Sequence, residues 1–328
     1  MRDRPEGVGA REIGPALADG WGVHAAVLRY AAVGGGSYHW TVRDRDGGRW
    51  FATVDDLDGK PWLGSARSAV LDGLRAAMDT ALALRQRAAL PFVAAPLPAL
   101  GGETVRPIGS RHALAVFPFL EGTTGRFGEE LTADRRRELA DMLAALHRAT
   151  PVLTRPPVAG IELPLRGALD AALAELDRPW PGSPYGEPTR ALLIRTADQV
   201  RRLLARFDQQ AGRAAAREPV ITHGEPHPAN VIRAGTGAML IDWDTSGLAP
   251  PERDLWMIAT GAGDELRRYT AATGRAVDPE SLALYRLRWA LDDISAFVRQ
   301  LRSARERTAD GEHAWRALRD TIADAGGL

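Results

Sequence analysis

The sequence predicts an α+β fold of two lobes, a small β-rich one followed by a larger, mainly helical one. Three observations carry this. The chain has 328 residues, enough for two lobes by ordinary domain sizes. Residues 21–60 read as short strands separated by glycine turns. The last third keeps its apolar residues at the 3.6-residue helical period.

Composition narrows the class. Apolar residues make up 45% and charged residues 26%, as in a globular protein with a real core. The formal net charge is zero, so nothing global points to nucleic acid or a membrane surface. There is no cysteine, which excludes disulfides and thiolate metal sites. The first residues, Met1-Arg-Asp-Arg-Pro-Glu-Gly, lack the apolar core of a secretion signal. With no run of 18 apolar residues either, a cytoplasmic protein is the expectation. Basic residues are almost all arginine, and Lys60 is the only lysine.

Taken in order, Trp21 to Ala32 and Tyr38 to Asp44 are candidate strands around Gly34-Gly35-Gly36-Ser37. Gly47-Gly48 turns the chain into a third, Arg49 to Leu57. A strand, glycine turn and strand lets backbone N–H groups approach phosphates, and it is equally the shape of an ordinary hairpin. A helix over about 65–90 follows, with a stripe at Val70, Leu74, Met78 and Leu82. Prolines punctuate 91–98, and His112 to Gly122 reads as a strand running into a linker. Thr132 caps a helix from Ala133 to about Ala149, with Leu139, Leu143 and Leu146 inward and His147 a core or helix-end histidine. Residues 151–188 are rich in Pro and Gly, broken by a short helical stretch near 165–176. Trp180 and Tyr185 there have two readings: stacking residues in a substrate-cleft wall, or partly buried aromatics of a surface insertion. Residues 188–207 form a further helix. In the last third, Leu284, Leu287, Leu291, Ile294, Val298 and Leu301 form the buried stripe, and Asp292 and Asp293 alternate with arginines on a solvated face.

The most informative stretch runs from Val220 to Asp244. Residues 231–233 and 238–241 read as two strands joined by the turn signal Ala234-Gly235-Thr236-Gly237. Such a hairpin brings the residue before its first strand, Asn230, close to the residue after its second, Asp242. An amide oxygen and a carboxylate suit a hard cation such as Mg²⁺, which takes one or two protein groups and keeps water. Glu225, five residues before Asn230 and fixed on a loop by Pro226 and Pro228, can accept a proton from a hydroxyl.

His223-Gly224-Glu225, Asn230 and Ile241-Asp-Trp-Asp244 resemble the catalytic core shared by protein kinases and aminoglycoside phosphotransferases. The resemblance implies a bilobal protein-kinase-like fold with an N-lobe at 1–117 and a C-lobe at 118–328. It implies transfer of the γ-phosphoryl of ATP or GTP to a hydroxyl of a small molecule, an antibiotic or another natural product. Glu225, His223 and Asn230 become the catalytic set, with His223 holding the loop by hydrogen bonds. Asn230, Asp242 and Asp244 become the Mg²⁺ set, Asp244 as an outer ligand. Gly34, Gly35, Gly36 and Ser37 would cover the phosphates, and the linker near Phe117 and Phe119 would bond the adenine edge. Asp254, in the first turn of a helix opened by Pro251, would anchor the catalytic loop, and His227 would shape it.

The chain departs from the pattern in three places. The catalytic acid is Glu225 where the family usually has Asp. The strand at 50–56 has Thr53 at the position of the phosphate-contacting lysine, and 65–89 contains no Glu to partner one. Either Lys60 or an arginine such as Arg67 supplies that charge from another direction, or the nucleotide site is weakened. Two alternatives therefore stand beside the antibiotic kinase: a kinase of a metabolite amine or sugar on the same fold, and a catalytically weakened nucleotide-binding regulatory module.

Overall fold

The computed structural model describes residues 1–327 apart from 215, 216, 236, 261 and 262. The chain divides into two compact units, Met1–Ala159 with Glu218–Val277, and Gly160–Arg217 with Asp278–Leu328. The elements begin with helix α1 (Ala10–Trp21), strands β1 (Ala25–Ala31), β2 (Tyr38–Asp44) and β3 (Arg49–Asp56), and helix α2 (Arg67–Gln86). Strands β4 (Arg106–Ile108), β5 (His112–Pro118) and β6 (Thr123–Thr124) lead to helices α3 (Ala133–Arg148), α4 (Arg166–Ala174) and α5 (Gly186–Ala214). Strands β7 (Val220–Thr222), β8 (Val231–Ala234), β9 (Gly237–Leu240) and β10 (Gly247–Ala249) follow. Helices α6 (Glu252–Leu255), α7 (Asp264–Thr273), α8 (Pro279–Ser303) and α9 (Ala309–Asp324) complete the chain.

The first unit is built on a five-stranded sheet of order β1-β2-β3-β5-β4, antiparallel throughout. Strand residues alternate between faces, and burial follows that rule. Ala52, Val54, Leu114 and Val116 pack with Trp40, Val42 and the α1 residues Ile13 and Leu17 on one side. Ala113 and Ala115 face the other way, against Val70, Leu74 and Met78 of α2. On β3 the residues of that second face are Phe51, Thr53 and Asp55, so the pleat fixes where Asp55 points. His39, paired with Thr53 in the β2–β3 register, stacks on Phe51 with ring centroids 5.0 Å apart.

The amino-terminal helix α1 was not foreseen, and the first strand starts later than the expected Trp21. Gly22 explains the later start. It sits at φ +66°, in the left-handed region that glycine enters at no cost. From there its N–H returns to the Ala18 carbonyl and that of Val23 to Leu17, which closes the helix before the chain extends. The expected helices and strands elsewhere are found within a few residues, except that α5 runs on to Ala214, past the expected end at 207. Thr132 Oγ1 accepts from the Arg135 N–H at 3.4 Å, capping α3. Strands β8 and β9 pair with Val231 opposite Leu240; Thr236 of the connecting turn lies outside the described residues.

The second unit packs α4, α5, α8 and α9 around the stripe Leu284, Leu287, Leu291, Ile294, Val298 and Leu301. Trp180 and Tyr185 belong to this core, with only 6% and 1% of their surface exposed. The Trp180 Nε1–H donates to the Glu175 carbonyl at 3.1 Å and the Tyr185 hydroxyl to Glu312 Oε1 at 3.1 Å. The two residues are neither a cleft wall nor partly buried aromatics of a surface insertion: each ring is apolar bulk of this core with its polar tip satisfied. Among the described residues no helix is long and apolar enough to cross a membrane.

If Trp180 is core, Trp180→Ala should lower the unfolding free energy by about 3–5 kcal/mol, as for other large-to-small core changes. Urea unfolding checks this, and an unchanged midpoint would restore the stacking reading.

Candidate active site

The β8–β9 hairpin does what its spacing predicts. The Ile241 N–H donates to the Asn230 carbonyl at 3.0 Å, so Asn230 and Asp242 flank the open end of one ribbon. Asp242 stands at φ +68°, a left-handed conformation that Asp tolerates better than most residues. Trp243 then dives into the interior. It is fully buried, its Nε1–H donates to the Leu240 carbonyl at 3.0 Å, and its ring meets that of His223 edge-on at 4.7 Å. With Trp243 inside, Asp242 stays solvent-accessible.

The loop after β7 is held by buried polar groups. Asp254 accepts from the backbone N–H of His223 at 2.9 Å and of Gly224 at 2.7 Å. His147 bonds the same Asp254 carboxylate at 3.0 Å, and its other nitrogen meets the Tyr269 hydroxyl at 2.8 Å. Burial alone would raise the Asp254 pKa, but the His147 hydrogen bond and the charges around it bring the carboxyl below its ordinary range. His223 is itself buried, which pushes its pKa down. Its neutral ring bonds backbone at both ends, Nε2 with the Ile241 carbonyl at 2.9 Å and Nδ1 with the Glu225 N–H at 3.2 Å. One ring therefore ties the loop to the hairpin. Gly224 is required twice over. It sits at φ +101°, and a Cβ there would lie 2.5 Å from Arg253 Nη2. That guanidinium spans Thr222 Oγ1 and the Thr245 carbonyl, both at 2.8 Å.

These anchors leave the chemistry-bearing atoms free. The Glu225 side chain is 31% exposed, with Oε2 3.8 Å from His227 Nε2. Asn230 spends its amide N–H on the Glu225 carbonyl at 3.0 Å, so its oxygen is the end left to offer. Among the described residues no hydrogen bond reaches the Asp242 carboxylate. Reduced hydration, then the carboxylates of Asp244 and Glu225, push the Asp242 carboxyl well above the usual range, with Lys60 opposing. An anionic oxygen crowded by other carboxylates, beside an uncommitted amide oxygen, fits a hard divalent cation. Among the described residues no three His, Cys, Asp or Glu side chains form a ready metal cage. Two protein donors are what Mg²⁺ takes when phosphates and water supply the rest.

Lys60 brings a positive charge to this side of the sheet. It follows the short 3-10 turn Leu57–Gly59 and is 0% exposed. Its Nζ pairs with Asp244 Oδ2, lies 2.9 Å from Asp55 Oδ1 and donates to Ser37 Oγ at 3.1 Å. Burial works against this ammonium, but Asp244, Asp55 and Asp242 outweigh it and raise the Lys60 pKa above the ordinary lysine value. Burial and, among the charges nearby, Lys60 also push His39 down to about 3, so that ring is neutral. Arg67, the other candidate, pairs with Asp58 at 2.6 Å, both half exposed.

The remaining candidates are placed as follows. A Cβ on Gly36 would lie 3.9 Å from Lys60 Nζ, so the glycine turn passes directly over the cation. Ser37 is buried, and its hydroxyl is spent on Asp55 at 2.5 Å. Asp244 is buried against Lys60, which leaves one carboxylate oxygen for any other partner. Phe117 pairs with Phe51 across the sheet. The Phe119 N–H donates to the Arg49 carbonyl at 3.3 Å, and its ring lies under the Arg49 guanidinium at 3.9 Å. Two residues were missed. Arg253 follows Glu252 as an ordinary charged pair in the sequence and gives no signal. Asp55 did give one: a carboxylate at an inward-facing position of an alternating strand.

The sequence profile described as the phosphotransferase enzyme family matches residues 28–289. Protein StrN of Streptomyces griseus is 31% identical over 243 residues, 69% of this chain and 70% of that protein. A crystal structure of spectinomycin phosphotransferase in complex with ADP and spectinomycin superposes with a TM-score of 0.73 at 16% identity, covering 98% of each chain. A microcompartment-associated aminopropanol kinase matches with a TM-score of 0.61 at 18% identity over 97% of each chain. Amicoumacin kinase in complex with AMP-PNP and Ca²⁺ gives 0.57 at 12% identity, over 97% of this chain and 94% of that one.

The loop anchor makes a pH prediction. Because the folded pKa of Asp254 is depressed, its carboxylate contributes stability above the unfolded value near 3.9 and loses it as pH falls through the lower folded value. Asp254→Asn should therefore cost about 3–5 kcal/mol at pH 7, as for a broken buried pair. The gap to wild type should narrow only below about pH 4. Urea unfolding at pH 7 and pH 3 measures it, and an equal gap at both would contradict the ionised anchor.

Proposed function

The chain belongs to the phosphotransferase enzyme family, and from that premise we propose that it moves the γ-phosphoryl of ATP or GTP to a hydroxyl of a small molecule, an antibiotic or another natural product. The observation that carries this is the convergence of Glu225, Asn230 and Asp242 beside a buried ammonium, Lys60. Residues 1–117 would cover the nucleotide and 118–328 would hold the catalytic loop and acceptor. The setting would be the cytoplasm, where nucleoside triphosphates are plentiful.

In this reading Glu225 accepts the proton of the acceptor hydroxyl while its oxygen attacks the γ-phosphorus. The bond from that phosphorus to the bridging oxygen breaks, and the nucleoside diphosphate leaves with the electron pair. Such transfer is largely positioning and charge neutralisation. Asn230 and Asp242 would hold Mg²⁺, which when bound neutralises charge on the β- and γ-oxygens. Asp244, with one oxygen on Lys60, would act as an outer ligand. Lys60 would present its ammonium to the phosphates beneath the Gly34–Gly36 backbone. His223 acts by holding the loop. Glu225 is one methylene longer than the usual Asp, so the acceptor hydroxyl would sit correspondingly further from the loop backbone.

Lys60 also weighs against the weakened-module alternative, since the positive charge absent from Thr53 is rebuilt next to Asp242. A metabolite kinase remains the second reading, favoured by the fold shared with an aminopropanol kinase.

Glu225→Gln should lower kcat by roughly 10²–10⁴ if Glu225 is the general base, with nucleotide KM little changed; a rate near wild type would remove that role. Asp242→Asn should abolish divalent-dependent turnover, and retained turnover would remove its metal role. A nucleotide-consumption screen over hydroxylated antibiotics, amino alcohols and sugars, with and without Mg²⁺, identifies the acceptor. Consumption by none of them would count against the kinase reading itself.

A further inference from the structure

In the protein-kinase arrangement the phosphate-contacting lysine is held by a glutamate from the helix after the third strand. Here that helix, α2, offers no carboxylate to Lys60. Its two acids are committed elsewhere, Asp72 to Arg75 at 3.5 Å and Asp79 to the Thr104 hydroxyl at 2.7 Å. Beside Asp244, a second carboxylate partner of Lys60 comes from its own strand. Asp55 is five residues earlier, on the inward face of β3, and is 1% exposed. Its Oδ1 receives both Lys60 Nζ at 2.9 Å and the Ser37 hydroxyl at 2.5 Å.

Between Asp55 and Lys60 the backbone is fixed locally. The Asp56 carboxylate accepts from the Asp58 N–H at 3.0 Å and is paired with Arg111 at 2.6 Å, and the Leu57 N–H bonds the Arg111 carbonyl at 2.9 Å. Leu57 then plugs the α2-facing core. The turn therefore delivers Lys60 back over Asp55 by short-range contacts, and Ser37 joins the same carboxylate from the end of the glycine turn.

Building on the kinase reading, we propose that Asp55 is the positioning residue for Lys60, taking the place of the α2 glutamate. With Ser37 it sets the cation and the glycine turn together. On the side of the sheet the lysine is then held by a strand, a turn and a hydroxyl, opposite Asp244, and helix α2 does not gate it. The reach of the side chain fits this: a lysine seven residues beyond Thr53 needs a counter-charge below it on the strand, and Asp55 is the inward position nearest that turn.

Lys60 is the only lysine, so protein made with lysine labelled with ¹³C at Cε alone gives a single side-chain signal, read free and with ADP plus Mg²⁺. Asp55→Asn should shift that signal in the free protein and raise the nucleotide KM by about thirtyfold, the low end of the scale for a truncated buried charge pair. It should change kcat less than KM. Asp55→Glu should restore part of the affinity, and Asp79→Asn in α2 should leave both signal and KM as in wild type. The proposal is overturned if Asp55→Asn keeps the wild-type signal and KM, or if Asp79→Asn moves the lysine signal as far as Asp55→Asn does. Should Asp55→Asn not fold, Ser37→Ala decides: its loss of one hydroxyl must shift the lysine signal, and an unmoved signal overturns the proposal. A wild-type signal indifferent to ADP would sink the phosphate role of Lys60, while the free-protein comparison still decides the role of Asp55.

Discussion

The Lys60–Asp244 ion pair joins positions 184 residues apart, and the rest of the site depends on it. One partner rises from the turn after β3; the other follows the hairpin that carries Asn230 and Asp242. A fully buried ammonium is tenable only if anionic groups replace its water. Asp244 and Asp55 do so, and Ser37 adds a third acceptor. The pair thereby fixes the spacing between the glycine turn above and the hairpin below. It also sets the local charge: Asp242 stands beside a cation that eases part of the repulsion from Asp244 and Glu225, and a divalent ion would complete the neutralisation.

The loop after β7 is held by a separate set of buried groups with a different logic. Asp254 receives two backbone N–H groups and a histidine, His223 bridges loop and hairpin as a neutral ring, and the Arg253 guanidinium fills the space that the missing Cβ of Gly224 leaves. Each is a buried polar group with its partners supplied, the condition under which such networks rigidify rather than destabilise. The residues that hold the loop are buried, as are Asn230 and Lys60, whereas Glu225 and Asp242 reach solvent.

Much of this was legible in the sequence because local signals coincided. The spacing from Glu225 to Asn230, the two short strands and the turn between them together specify which side chains meet. The strands of the sheet were read from the glycine turns between them, and the burial of Ala52, Val54, Leu114 and Val116 shows the alternation a pleat imposes. Long-range pairing was not legible. Nothing local says that Lys60 lies against Asp244 rather than in solvent, and Ser37 reads as one more turn residue although its hydroxyl is consumed by Asp55. Trp180 and Tyr185 sit among prolines and glycines that mimic an exposed loop, while the helices that bury them lie more than a hundred residues later. Helix α1 escaped because glycines at 14, 20 and 22 and Pro15 interrupt its pattern.

A double-mutant cycle on Lys60→Met and Asp244→Asn, read by urea unfolding at pH 7, tests the central pair most directly. Each single change removes one partner of a buried pair and should cost about 3–5 kcal/mol. The double change removes both charges and should cost clearly less than the sum, by at least about 1.5 kcal/mol. Losses that add to within about 0.5 kcal/mol, as for sites that do not touch, would show that Lys60 and Asp244 are not paired in solution and would contradict the account.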